Sequence, residues 1–332
     1  MSDAPIRLTR RSALAGLASA CAGCLTRPAS QPASQPPSTL VSGVPGLHAA
    51  RDPDFERAFD AVLAASGFFD LVSRGDTVLL KVNTNSGDPY PFSTNPALVS
   101  RLARALVDKG AHVLVGDRSF YGDMGTRENL EENGIAPAAR AAGAEVVVFD
   151  DPLGFIEIPP EQVQSWVGPV RVPALCREAH VVNLAVLKTH FISGFTLSLK
   201  NLLGTVKAED RAREGNLRVH DPTRLHKQIA EIASFVRPVL HLLDGHSALV
   251  SGGPTRWNGS PQFARPGLLL ASSDPVAVDW VGATLLHRLA PAGEAVRDTS
   301  PDTHPMLEAA RALGLAAAEM PHPTTLLDKL GL

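Results

Sequence analysis

The stretch from 183 to 204, NLAVLKTHFISGFTLSLKNLLG, decides how this chain is read. It opens as an apolar run of the kind that forms a buried strand. It then delivers Lys188 and His190, loops through Gly194, and resumes with Lys200 and Asn201 among leucines. Lysine is rarely fully buried unless it is paired. Two lysines, a histidine and an asparagine in such surroundings either reach the surface or converge on something anionic.

The same run sets the fold class, because it is one of a series. Apolar segments at 77–82, 111–117, 145–150, 180–187, 238–245 and 266–272 read as strands, with helical patterns between several of them. Asn95-Pro96 starts one helix, with asparagine as the cap and proline in the first turn, and Leu98, Leu102 and Leu106 form its apolar stripe. Strands that are apolar throughout and separated by helices predict an α/β fold, a mostly parallel β-sheet flanked by helices on both faces. The polar stretches 204–224 and 250–265 read as long loops of the kind that cover sites.

The ends of the chain's 332 residues are unlike its body. Residues 1–25 carry adjacent Arg10 and Arg11 before a short alanine-rich apolar segment, which predicts a twin-arginine export signal read by the Tat machinery. Ala18-Ser19-Ala20 is a cleavage pattern before Cys21, and Cys24 after Ala22-Gly23 admits a lipid anchor at either cysteine. Residues 26–47, rich in Pro, Ser and Ala, read as an unpacked tether, and 48–332 as a single α/β domain. The expected location is the periplasm or cell envelope, with the membrane reached only through an N-terminal lipid. A net charge of −3 gives no case for nucleic-acid binding. Of three cysteines only Cys176 lies in the body. That count leaves no ligand set for an iron–sulfur cluster or a thiolate zinc site, and Cys176 reads as a small buried hydrophobe.

In open α/β sheets, ligands bind outside the carboxyl ends of the strands. Those ends deliver Lys81 and Asn83, then Asp117, then Lys188 and His190, then Asp244 and His246, then Asp274. Turn capping alone explains Asp117 and Asp244, and Asp274-Pro275 is a helix start. Asp279 lies on the apolar stripe of the next helix, with Val276, Ala283 and Leu286, so its carboxylate needs a cation, a metal or several donors. A structural ion pair with one of the lysines and a functional role remain equal readings. No phosphate-binding loop, zinc-protease motif or nucleophile elbow is present in the sequence. His190, His220, His226 and His246 lie in or near the candidate loops without the spacing of a zinc site. A hard divalent cation on Asp117, Asp244 or Asp274 is compatible with the chain.

The segments LLKVN, VLVGD, NLAVLKTH, LKNLLG, LLDG and SSDPVAVD occur in that order, and over about residues 75–290 the chain resembles the domain-of-unknown-function 362 family. The resemblance implies that Lys81, Asn83, Asp117, Lys188, His190, Lys200, Asn201, Asp244, Asp274 and Asp279 belong together, and it carries no reaction. Some relatives have ferredoxin-like cysteine clusters, which this chain lacks. The resulting expectation is an enzyme acting on a small polar or anionic metabolite, with Lys188, His190 and Asp279 catalytic and the other residues binding the ligand. A non-catalytic envelope binding protein and a structural buried ion-pair network are the alternatives.

Overall fold

Short β-prone apolar runs become strands here, and capped amphipathic runs become helices. The computed structural model describes residues 38–44, 46–120, 125–151, 154–213, 215–216, 222–316 and 319–332. Residues Ser38–Leu332 cluster as one compact unit. The strands are β1 (Thr39–Val44), β2 (Leu47–Arg51), β3 (Thr77–Lys81), β4 (His112–Asp117), β5 (Glu145–Val148), β6 (Phe155–Glu157), β7 (Arg171–Pro173), β8 (His180–His190), β9 (Gly194–Thr196), β10 (Leu240–Ser251), β11 (Gln262–Ala264) and β12 (Leu268–Ser272). The helices are α1 (Phe55–Ser66), α2 (Pro96–Asp108), α3 (Thr126–Glu132), α4 (Ile135–Ala141), α5 (Leu175–Glu178), α6 (Ser198–Asn201), α7 (Ala208–Ala212), α8 (Pro222–Val236), α9 (Pro275–Leu289), α10 (Pro305–Ala312) and α11 (Pro323–Leu330).

The main sheet runs in the order β1-β2-β12-β10-β8-β3-β4-β5, with β11 added to β10 and β9 to β8. Its centre is parallel: β10 with β8, β8 with β3, β3 with β4 and β4 with β5. The 266–272 segment joins differently from the parallel expectation. As β12 it lies antiparallel between β10 and β2. Part of the stretch expected as a tether lies in the sheet. Residues 39–51 pair as the antiparallel strands β1 and β2, and β2 pairs onward with β12. A composition rich in Ser and Pro hid this, because the hairpin of β1 and β2 joins the sheet through β12, more than two hundred residues away in the chain.

Alternate residues of a strand point to opposite faces, and the core divides accordingly. Leu79, Leu187 and Leu243 join Ile229 of α8 and Leu286 of α9 in one cluster. Val78, Leu80 and Leu242 join Phe59 of α1 and Leu98 and Leu102 of α2 in another. The helix starts follow local chemistry. Asn95 accepts a hydrogen bond from the Ala97 N–H ahead of α2, and Asp274 accepts one from the Ala277 N–H ahead of α9. Because β4, β3, β8 and β10 are adjacent and parallel, their carboxyl ends open onto one edge, where the polar residues gather.

Candidate functional site

The ends of β3 and β4 bring the first two residues together. Lys81 closes β3 in register with Gly116, the residue before Asp117. Lys81 Nζ lies 2.6 Å from Asp117 Oδ1, and both side chains are buried. The ammonium also donates to the Val82 carbonyl at 2.6 Å and to Asn201 Oδ1 at 3.4 Å. Asp117 accepts the Thr84 and Arg118 N–H groups, each at 2.7 Å. Burial pushes the Lys81 ammonium below its usual range and the Asp117 carboxyl above its own, while each charge pulls its partner back. Gly204 packs onto this pair: a Cβ there would collide with Asp117 Oδ1 and lie 3.0 Å from Lys81 Nζ.

A second lysine enters from β8. Lys188 is fully buried and donates to Asn83 Oδ1 at 2.7 Å and to the Phe92 carbonyl. Asn83 in turn donates to Asn201 Oδ1 at 2.9 Å. Asn201 donates to Asn183 Oδ1 at 2.7 Å, and Asn183 donates to Nδ1 of the buried His241 at 3.0 Å. A continuous polar network thus links Lys81, Asn201, Asn83 and Lys188. Burial, then the Lys200 charge, pushes the Lys188 ammonium down to about 7.

Lys200 and Asn201 are carried by the short helix α6, and Asp279 holds the start of that helix. Asp279 is fully buried on α9 and accepts the Ser198 N–H at 2.7 Å and the Leu199 N–H at 2.8 Å. Both its oxygens accept backbone donors and, among the described residues, no hydrogen bond or ion pair joins it to a lysine, so the contact it makes is one that anchors α6. Burial raises its carboxyl to about 7 against the pull of the two N–H groups.

Between these elements lies a cavity of about 50 Å³, lined by Asn83, Asp117, Lys188, His190, Lys200 and Asn201 and also by Arg118, Thr196 and Arg211. That volume holds roughly three or four water molecules. Lys200 is partly buried and has no hydrogen bond or ion pair among the described residues. Burial, with the Arg211 charge second, pushes it down to about 7. Arg211 is buried, donates to the Leu203 carbonyl at 3.0 Å, and lies 4.7 Å from the Phe120 ring centroid. His190 Nδ1 accepts the Ile192 and Ser193 N–H groups, which leaves Nε2 to carry the proton of the neutral ring. Among the described residues Asp117 is the one carboxylate on the lining, and Lys81 already engages it.

Other expected residues sit apart. Asp244 is buried at a separate site, where it accepts from the Tyr90 hydroxyl at 2.8 Å, the His246 N–H at 2.8 Å and Asn95 Nδ2 at 3.2 Å. Asp274 caps α9 and borders a different surface cleft with Trp280 and Arg311. The three aspartates considered for a hard cation are therefore in three environments, and no group of three or more His, Cys, Asp or Glu is placed to hold a metal among the described residues. His226 is buried with both ring nitrogens unbonded, and burial followed by the Lys200 charge lowers it to about 4. His246 contacts the Pro53 carbonyl. Cys176 is buried beneath β3, its thiol pushed up to about 12. Arg10, Arg11, Cys21, Cys24 and His220 lie outside the described residues.

Sequence reasoning missed Thr196, Arg211 and the backbone oxygen of Phe92. Thr196 stands in a three-residue strand whose only cue was the Gly194 turn. Arg211 lies within the loop expected to cover the site, so its region was legible but its direction was not.

A family model described as a domain of unknown function, DUF362, matches residues 78–284, from β3 into α9. The thylakoid-associated protein sll1697 of Synechocystis sp. is 29% identical over 269 residues, covering 77% of this chain and 74% of that protein.

Proposed function

This chain belongs to the domain-of-unknown-function 362 family, and from the geometry of its own site we propose a pocket for a small anionic metabolite, with Lys188 positioned to transfer a proton. One observation carries the reading. Lys188, Lys200 and Arg211 line a single cavity, and the one carboxylate on it among the described residues, Asp117, is paired with Lys81. An ammonium held near neutrality can both give and take a proton at physiological pH, as acid–base chemistry requires. His190, with its Nε2 proton, is the second polar group for that chemistry. The reaction class is proton transfer on a ligand held by charge. Lys81 and Asp117 form the inner, structural half of the network, because Lys81 is wholly buried and does not line the cavity.

The test is a thermal-shift and calorimetric panel of small carboxylates, phosphate and sulfate on the wild-type protein and on Lys200→Ala. At least one anion stabilises the wild type and loses about tenfold or more in affinity on the variant, since a hydrogen bond to a charged group contributes about 1.5–3 kcal/mol. Wild-type protein indifferent to every anion in the panel would remove the basis for the reading.

The fold supports a helical layer on each face of the sheet, because the two core clusters draw on different helices. The adjacent arginines at 10 and 11 support export through the Tat machinery to the cell envelope, with Cys21 or Cys24 as the lipid attachment point. No helix among the described residues is long and apolar enough to cross a membrane. The relative's thylakoid association fits a membrane-adjacent setting. Replacing Arg10 and Arg11 by lysine strands the precursor in the cytoplasm on this reading; normal export of that double variant refutes it.

A further inference from the structure

We propose that residues 254–260 are a lid on the cavity, held shut by the pair between Arg256 and Asp88, and that small molecules enter when that pair opens. This rests on the pocket reading above for what the lid admits, and adds the way in.

The segment 252–260 is a loop whose two ends meet. A Cβ at Gly252, whose φ is +72°, would lie 3.0 Å from the carbonyl carbon of Ser260. Compact surface loops closed at the base and packed by their own side chains are frequently functional. Here the Thr255 N–H donates to Asn258 Oδ1 at 3.0 Å, and the Arg256 guanidinium lies 5.0 Å from the Trp257 ring centroid. The base is fixed. The Gly252 N–H donates to Glu294 Oε1 at 3.2 Å and the Gly253 N–H to Thr189 Oγ1 at 3.3 Å, and Gly253 sits so close to the Thr189 carbonyl that no Cβ fits between them. The tip is not fixed in that way. Residues 256–260 are all exposed, and Trp257 is 79% exposed. Among the described residues, every hydrogen bond and ion pair from 254–260 to the rest of the protein ends on Asp88. Arg256 Nε lies 2.8 Å from Asp88 Oδ1, and the Arg256 N–H donates to Asp88 Oδ2 at 3.1 Å.

The pair joins two parts of the cavity wall. Asp88 belongs to the loop after β3 that places Asn83, Thr84 and Asn85 on the lining, and Pro254 of the lid stands on the same lining. With about 50 Å³ inside, a metabolite larger than a few waters needs a wall to give way. Lys188 and Thr196 are held in the sheet by the β8–β9 ladder, and Asp279 anchors the start of the helix that carries Lys200. The tip of the lid has few buried contacts, and such segments open locally at the lowest free energy. The Asp88 side chain is 1% exposed and that of Arg256 is 49% exposed, so the pair lies at the boundary with solvent and its opening returns both charges to water.

The experiment reads how fast a small reagent reaches Lys200 on the cavity lining. The ligand-free full chain is treated briefly with acetic anhydride at fixed pH, and acetylation is followed lysine by lysine with peptide mass spectrometry. The exposed Lys109 and Lys329 report the strength of the reagent, and the fully buried Lys81, which does not line the cavity, reports unfolding. In the wild type Lys200 is expected to react more slowly than Lys109 and Lys329. Arg256→Gln is expected to raise the Lys200 rate about tenfold or more, because a hydrogen-bonded pair of charges is lost. Lys81, Lys109 and Lys329 then react as in the wild type. Arg256→Lys keeps a charge facing Asp88 and is expected to stay closer to the wild type than to Arg256→Gln. A Lys200 rate that Arg256→Gln leaves unchanged overturns the lid and points to entry past Phe120. Wild-type Lys200 reacting as fast as Lys109 overturns closure, and Lys81 rising together with Lys200 overturns local opening. No anion takes part in this measurement, so failure of the anion panel removes the pocket reading without touching these results.

Discussion

Asp279 offers the sharpest test of how this site is held. The perturbation is Asp279→Ala, with Asp279→Asn beside it. The carboxylate has zero exposure and accepts two backbone N–H groups at 2.7 and 2.8 Å, the first two donors of α6. Alanine leaves both donors buried without a partner, at about 1–3 kcal/mol each, so the loss is roughly 2–6 kcal/mol. Asparagine keeps one acceptor oxygen and sets an amide against the other donor, for a loss of roughly 1–3 kcal/mol. The pH dependence separates the carboxylate from a neutral anchor. Burial raises Asp279 to about 7, whereas an unfolded chain holds aspartate near about 4. Between those values the folded protein keeps a proton that the unfolded chain releases. Stability from this group is therefore present at low pH and is lost as pH rises from about 4 to about 7, at up to about 1.4 kcal/mol per pH unit. Asp279→Asn cannot titrate, so its disadvantage narrows toward pH 8. The assay is urea unfolding followed by circular dichroism at pH 5, 6, 7 and 8. The difference between the two curves isolates Asp279, because burial also raises Asp117 and Asp244. Parallel curves for wild type and Asp279→Asn, or an alanine loss below about 1 kcal/mol, would refute the anchoring role.

Lys188→Met tests the opposite sign: a lysine lowered to about 7 lacks, in the folded state, a proton the unfolded chain holds up to about 10.4, so stability rises with pH across that window. The variant should lose part of that alkaline gain in urea midpoints at pH 7 and 9.5, with Lys200 supplying the rest; an undiminished gain places the titration elsewhere. Gly204→Ala drives a methyl into Asp117 Oδ1 and toward Lys81 Nζ, so it should cost about 1–3 kcal/mol in thermal unfolding, and a neutral result would mean the pair is looser than its 2.6 Å contact indicates. Tyr90→Phe leaves Asp244 short of one donor and the Ser247 N–H without its acceptor, so it should lose roughly 1–3 kcal/mol while sulfate affinity stays within about twofold. A large drop in that affinity would join Asp244 to the pocket after all.

The residue types of the site were legible because strand ends in a parallel sheet share an edge. Lys81, Asn83, Asp117 and Lys188 were named from that rule, and the structure brings them together with Lys200 and Asn201 of α6. The helix starts at Asn95 and Asp274 were legible for a local reason: cap and first turn lie within four residues of each other. Asp279 was half legible. Its place on an apolar stripe showed that it faced inward, but 3.6-residue periodicity cannot say what waits there. Of the cation, metal or several donors that it needed, the structure supplies a pair of backbone N–H groups some eighty residues earlier in the chain.

What the sequence determined by itself is therefore whatever depends on neighbours along the chain: the strand runs, the caps, the periodicity that points a residue inward, and the absence of enough cysteines for a cluster. Tertiary structure alone decided the partners. It split the aspartates among the Lys81 pair, the Tyr90 network and two helix starts, turned β12 antiparallel, and drew residues 39–51 into the sheet. The physical reason is that a carboxylate's role is set by which donor reaches it first within about 3 Å. Register between strands and the docking of α6 against α9 fix that distance, and neither is written in any local stretch of sequence.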